Sequence, residues 1–237
     1  MWAPQQSAAL ASAHRLTMGA MRVGTWNMAG RWGPDHRALL DEAACEVWLL
    51  PEVAPRCDLP EPLVRSAEMP GTRRRAWAAI WSNAPLRAVA SPHPATAVAT
   101  TGGFRFCSSV LPWRSAGATW PDGGANTAER TAAALHRLRP TLCDASEPVI
   151  WGGDWNHSMA GPERAGSTAG RLAIQELVGA AGLTVATHAC PHAIGGLLSI
   201  DHIALPARTH ISSCSRIRAT VGARRLSDHD AYVVDFQ

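Results

Sequence analysis

One pattern constrains this chain more than any other: short apolar runs of strand length stop abruptly, and a polar cluster adjoins each. Residues 47–50 run into Pro51-Glu52, and residues 149–152 run into Gly153-Asp154-Trp155-Asn156. Thr25-Trp26-Asn27 closes the stretch that begins at Met21. Ser199-Ile200-Asp201-His202 opens the run to Leu205, and Ser227-Asp228-His229 leads into 231–236. Compact apolar runs bounded by turn residues read as buried strands. Such strands need layers packed on them, and polar residues at their ends gather at one rim, where loops build sites.

Further strands are expected at 76–81, 86–90, 95–101 and 105–111, punctuated by Asn83, Pro85, Pro92, Pro94 and Gly102-Gly103. Residues 183–187 and 216–221 add two more to the C-terminal half. Helices are expected over 36–44, 127–143 and 171–181. The second is the clearest: Asn126 or Thr127 can cap it, and Ala134, Leu135, Leu138 and Leu142 share one face. Gly182 ends the third. Residues 54–70 are Pro-rich and read as irregular. A single α/β domain over 21–237 accounts for the pattern. Residues 1–20 read as a disordered extension, because the apolar patch 8–13 is short and His14-Arg15 follows it.

The chain is 46% apolar and 17% charged, as an ordinary globular protein is. No stretch approaches the roughly 20 apolar residues that cross a bilayer, so a cytoplasmic protein without a membrane span is expected. No protein partner can be inferred. Cys45, Cys57, Cys107, Cys143, Cys190 and Cys214 form no C-x-x-C pair, which argues against a zinc ribbon or thioredoxin-type site. They read as reduced and buried. The net charge of +3 is carried on the basic side entirely by Arg. The guanidinium fork suits phosphate, and the mild excess permits nucleic-acid binding without requiring it.

Brought to one rim, Glu52, Asp154 and Asp228 would supply the hard oxygen ligands that Mg²⁺ or Mn²⁺ prefers. Asn27 and Asn156 could orient a water or a phosphate oxygen without adding charge. Asp201 could fix the tautomer of His229 and stabilise its imidazolium.

These five clusters, in this order from about residue 21 to the C-terminus, resemble the endonuclease/exonuclease/phosphatase superfamily, the group with the pancreatic deoxyribonuclease fold. Its members show a T-W-N-like strand, a strand ending in Q-E, a G-D-x-N turn, an I-D-H strand and a C-terminal S-D-H. The resemblance implies an α/β four-layer sandwich, two mixed β-sheets face to face with helices on both outer faces. It implies a divalent-metal-dependent phosphodiesterase, a nuclease acting on DNA or RNA. Glu52 would be the principal metal ligand, helped by Asn27 and Asp228. Asp154 would orient or deprotonate the attacking water, and Asn156 would hold it. His229, held by Asp201, would stabilise charge on the phosphate.

Two departures stand out. Pro51 replaces the usual Gln, and the stretch Ser108-Ser109-Val110-Leu111-Pro112-Trp113-Arg114 lacks the His or Tyr that relatives place near the leaving group. Trp113 or Arg114 is left to fill that space. His157 belongs either at the substrate or in a solvated loop. Trp113, Trp120 and Trp155 lie in loops near the rim, where they could stack on a base. The run Arg73-Arg74-Arg75 reads as solvated rather than as a grip on a backbone. His202 is turned by strand alternation towards packing. A small phosphate ester (an inositol phosphate, a phospholipid headgroup or a nucleotide) is the alternative substrate, and a non-catalytic binding member is a third reading.

Overall fold

The computed structural model describes residues 20–117 and 119–237. The expected N-terminal extension, apart from residue 20, lies outside the described residues.

The first sheet takes, in spatial order, β11 (Ile211–Ile217), β14 (Ala231–Phe236), β1 (Met21–Thr25), β2 (Val47–Val53), β4 (Ala76–Ser82) and β3 (Leu63–Arg65). The second takes β5 (Arg87–Val89), β6 (Thr96–Thr101), β7 (Phe104–Val110), β8 (Val149–Asp154), β10 (Asp201–Pro206) and β9 (Leu183–Val185). Each is mixed: β1 and β2 are parallel in one, β7 and β8 in the other, and the remaining pairs are antiparallel. A ribbon of β12 (Thr220–Val221) and β13 (Arg224–Arg225) stands apart. The described helices are α1 (Pro34–Ala43), α2 (Thr127–Cys143) and α3 (Thr168–Ala180).

Three apolar cores glue four layers. Leu39, Leu40 and Ala43 of α1 pack on Trp48, Leu50 and Val233 at the outer face of the first sheet. Val23, Leu49, Ile80 and Val234 meet Phe106, Ile150 and Ile203 between the sheets. Leu135 and Leu138 of α2, with Ile174 and Leu177 of α3, close the second sheet over Cys107 and Trp151. The expected sandwich is the observed one. Successive residues of β2 go to opposite cores, Trp48 and Leu50 outward, Val47 and Leu49 inward. That is why the run is apolar without alternation: both faces are covered. Each fully buried Leu or Val adds roughly 1.5–3 kcal/mol.

The structure departs from the expected elements in four places. β2 does not stop before Glu52 but continues to Val53. α3 begins at Thr168, because the Ser167 side chain accepts the Gly170 N–H and caps it ahead of the apolar pattern. The strand expected over 216–221 is split, with β11 ending at Ile217 and residues 220–221 pairing locally with 224–225. β3 lies inside the stretch expected to be irregular. Among the described residues no helix is long and apolar enough to cross a membrane. All six cysteines are free thiols; Cys45, Cys57 and Cys107 are buried, whereas Cys143, Cys190 and Cys214 are partly exposed.

Candidate active site

The rim where β1, β2 and β8 end and β10 begins gathers most of the polar clusters. Parallel pairing of β1 with β2 continues past the end of β1: Trp26 N–H donates to Leu49 O (3.1 Å) and Met28 N–H to Pro51 O (3.0 Å). Asn27 therefore sits beside Glu52. In the other sheet the antiparallel register sets Asp201 directly opposite Asp154. The Ser227-Asp228-His229 turn, just ahead of β14, is pinned to β1. Ser227 Oγ donates to Asn27 O (2.6 Å), and Trp26 Nε1 donates to His229 O (3.2 Å). Each sheet thus brings half of the site.

The halves meet at Asp154. Asn27 Nδ2 donates to Asp154 Oδ2 at 2.9 Å and to Glu52 Oε1 at 3.3 Å. One amide nitrogen bridges both carboxylates, so the two oxygens are no farther apart than those distances together. Asp154 Oδ1 accepts the Asn156 N–H (3.0 Å), and Asn156 Nδ2 donates to Leu111 O (3.0 Å). His229 Nε2 lies 3.9 Å from Asp154 Oδ2, and Nδ1 bonds Asp201 Oδ2 at 2.7 Å. Asp201 Oδ1 is buried without a protein partner.

Backbone conformation aims these groups. Glu52 has φ 53 and Asn156 φ 51, left-handed values that only Asn among the two adopts readily. Gly153 has φ 122, and a Cβ there would lie 2.1 Å from Ser109 O. Only glycine lets β8 approach β7 closely enough to deliver Asp154.

Burial and charge set the protonation states. Burial, then the facing Asp201 carboxylate, push Asp154 up to about 7, against the pull of His229 and Asn27. For His229, burial disfavours the charged ring, yet Asp201, Asp154 and Asp228 outweigh it and push the imidazole up to about 10. Asp154, Asp201 and His229 offer ligand atoms within 4.8 Å of one another. Nδ1 of His229 is committed to Asp201, which leaves Nε2 facing Asp154. The hard oxygens of Glu52, beside Asp154 across the Asn27 amide, fit Mg²⁺ or Mn²⁺ better.

The other expected site residues fare differently. Asn27 presents its amide nitrogen to the carboxylates, while its oxygen accepts the Ala29 N–H (2.8 Å). In this conformation it is a bridge, not a ligand. Asp228 is exposed and only receives a 3.4 Å bond from Ser227 Oγ. Ser227 and His229 turn inward, and the residue between them faces solvent. His157 is fully buried: Nδ1 bonds Trp155 O (2.8 Å) and Nε2 has no partner. It cannot touch a substrate, a correction that follows from α3 packing over its ring. Trp120 and Trp155 are also buried, and Trp113 leans half-buried on Trp77 and Trp120 at 6.4 Å. Arg114 is exposed, with Nε on Gly166 O (3.3 Å). His202 is buried as alternation predicts.

One residue was read otherwise, as solvated, and another escaped the sequence reading. Arg75 forms an ion pair with Glu52 Oε2. His192 stands with its ring 6.5 Å from that of His229, at the mouth of a 230 Å³ recess walled by Pro162, Ile194, Leu197, Leu198 and Ile200. Its loop is held by Arg216 to His192 O, by Tyr232 OH to Pro191 O (2.9 Å) and by the Cys190–Cys214 thiol contact (3.0 Å). The only sequence signal for His192 was its position upstream of the Asp201 strand.

Residues 24–229 match the family described as Endonuclease/Exonuclease/phosphatase family. A search of the curated proteins finds no match. Among solved structures, an AP endonuclease from Archaeoglobus fulgidus is 15% identical with a TM-score of 0.69, covering 90% of this chain and 98% of that one. The 3' phosphatase NExo from Neisseria, solved with product DNA hairpin, is 18% identical at 0.67, covering 92% and 99%. The endonuclease domain of TRAS1, a telomere-specific non-LTR retrotransposon, is 15% identical at 0.62, with the same coverage. At such identities the likeness is one of fold.

Proposed function

Because this chain belongs to the endonuclease/exonuclease/phosphatase family, we propose that it is a divalent-metal-dependent phosphodiesterase that hydrolyses nucleic acid. One observation carries the reading: Asp154 Oδ2 is bridged through Asn27 to Glu52 on one side and faced by a charged His229 on the other. Acidic oxygens for a cation and an imidazolium for a phosphate meet at one carboxylate.

Glu52, which Asn27 links to Asp154, is the group that would hold Mg²⁺ or Mn²⁺. Bound there, the cation supplies neutralisation of the phosphate oxygens. Asp154, raised by burial, takes the proton as a water oxygen forms its bond to phosphorus. Asn156 holds the loop that follows Asp154 through Leu111 O. His229, kept charged by Asp201, donates Nε2–H towards the phosphate and stabilises its charge as the ester P–O bond breaks. Asp201 fixes that orientation through Nδ1. In the stretch 108–114, Ser109 Oγ is committed to Thr96 and Trp151, Trp113 is packed, and Arg114 holds a backbone carbonyl. None of them donates a proton to the leaving oxygen, which departs as an alkoxide and takes its proton from solvent water.

The test is cleavage of single-stranded, duplex and abasic DNA and of RNA by the purified protein with Mg²⁺ or Mn²⁺. Cleavage abolished by EDTA is expected; failure on every one of these substrates removes the proposal. The 230 Å³ recess beside His192, walled mostly by apolar side chains, favours a second reading, in which a small phosphate ester is the substrate and the recess takes its apolar part. Faster turnover of small phosphomonoesters than of oligonucleotides would support it. Oligonucleotide binding indifferent to EDTA, with no turnover, would mark a binding-only member.

A further inference from the structure

The hairpin that carries His192 links β9 to β10 of the second sheet, yet its side-chain ties run to the first. Ser199 N–H donates to Cys190 O (2.9 Å) and His192 N–H to Leu197 O (2.9 Å), which closes the hairpin over residues 190–199. Tyr232 of β14 and Arg216 of β11 donate to Pro191 O and His192 O. The third tie is different in kind. Sγ of Cys190 and Sγ of Cys214 in β11 lie 3.0 Å apart, although the residues are 24 apart in the chain. A disulfide of about 2.05 Å needs the two sulfurs to approach by only roughly another ångström. Both residues are partly exposed, so a small oxidant can reach them, whereas Cys45, Cys57 and Cys107 are buried. The pair is also polarised. The bond from the Cys214 thiol holds the Cys190 thiol below its ordinary range against burial, with Arg216 adding to it, and the same bond together with burial pushes Cys214 up. One sulfur is the nucleophile, the other its resolving partner.

We propose that Cys190 and Cys214 are a thiol-modification site, oxidised by a small disulfide such as glutathione disulfide to a bond that clamps the His192 hairpin to β11. The Cys190 thiolate attacks one sulfur of the reagent and expels a glutathione thiolate, leaving a mixed disulfide on Cys190. The Cys214 sulfur then attacks Sγ of Cys190 and expels the second glutathione. Two protein thiols are oxidised to one disulfide, one glutathione disulfide is reduced, and the two protons given up by the protein end on the two glutathione thiols. The bond closes a loop that contains Asp201 and all of β10, and it fixes the wall from which His192 faces His229. The chemistry is independent of which ester the rim hydrolyses.

The experiment equilibrates the purified, reduced protein with glutathione disulfide, then unfolds it and alkylates the free thiols. Wild type should lose two of its six thiols, with Cys190 joined to Cys214 in the peptide map, and dithiothreitol should restore both. Closing a loop of this length should raise the thermal transition by roughly 5–10 °C. Amide hydrogen exchange over residues 190–199 should slow in the oxidised protein. Cys214→Ser should stop at the mixed disulfide on Cys190, Cys190→Ser should keep Cys214 unmodified, and neither should gain the thermal shift. Retention of all six thiols by wild type, cross-links only between molecules, or oxidised and reduced proteins that melt together would each overturn the clamp. None of these readouts needs turnover, so they stand or fall apart from the proposed hydrolysis.

Discussion

His229 and His202 are nearly neighbours in space, both lie within the protein, and their rings are held in opposite charge states. His229 faces Asp201 and Asp154 and is pushed up to about 10. His202 follows Asp201 in sequence, points the other way, and is pushed by burial down to about 4. Its Nε2 meets His157 O (2.9 Å), its Nδ1 meets Thr187 Oγ1 (3.1 Å), and Trp155 lies against the ring at 5.1 Å. A neutral ring satisfies both bonds. The same alternation splits the turn after β8: Asp154 and Asn156 serve the rim, Trp155 and His157 the interior behind it. Burial alone discharges a histidine; two carboxylates reverse the sign.

The largest effects should separate these two regions by what they damage. Substituting Asp154→Asn, His229→Ala or Glu52→Gln should each lower kcat by roughly 10²-fold or more, with the thermal transition still cooperative. Steady-state rates with Mg²⁺, set beside circular dichroism melts, give both readings. A near-normal rate in any of the three would show that its role has been misassigned. Replacing His202 should do the reverse, lowering stability before rate.

Acid should expose the interior histidine next. His202 stays neutral in the folded chain down to about 4, whereas the unfolded chain takes up a proton below its ordinary value of 6.5. Its contribution is therefore complete above about 6.5 and lost as pH falls towards 4, on the order of 3 kcal/mol. His229 has the opposite sign, contributing below 6.5 and losing that contribution as pH rises through about 10. Melting wild type and His202→Gln between pH 7 and 4.5 should show the wild type losing several degrees more. The His157 ring and Glu163 face the same interior in both proteins, so the difference isolates residue 202. Parallel losses would mean that His202 is not held neutral.

How far the site could be read in advance follows the same division. The convergence of Glu52, Asp154, Asp201 and His229 was legible because each stands in one of the five ordered motifs that resemble the family. The four layers came from the family resemblance, whereas the covering of β2, β4 and β8 on both faces was legible from their apolar runs. Arg75 was not: its place beside Glu52 depends on the β2–β4 pairing that sets Val53 against Ala76. His157 looked like part of the site because it follows Asn156, and only the packing of α3 takes it inside. Asp228 matched its motif by type, yet the turn that aims Ser227 and His229 inward leaves it in solvent.

The smallest effect probes what keeps that interior closed. Gly→Ala within an exposed helix ordinarily stabilises by up to about 1 kcal/mol. Gly170 lies in the first turn of α3, where a Cβ would sit 2.3 Å from His157 Nε2 and 2.9 Å from Ser167 Oγ. The ring cannot retreat, because Gly166 crowds it from the loop before α3 and its Nδ1 is bonded to Trp155 O. Gly170→Ala should therefore destabilise by about 1 kcal/mol or more, as overpacking does. In a His157→Ala background the closer of the two clashes is gone and only the Ser167 Oγ approach remains, so the same substitution should cost markedly less. A double-mutant cycle from denaturant melts measures that difference. If Gly170→Ala stabilises the wild type, the ring of His157 is free to move, and the interior is as open to rearrangement as the rim.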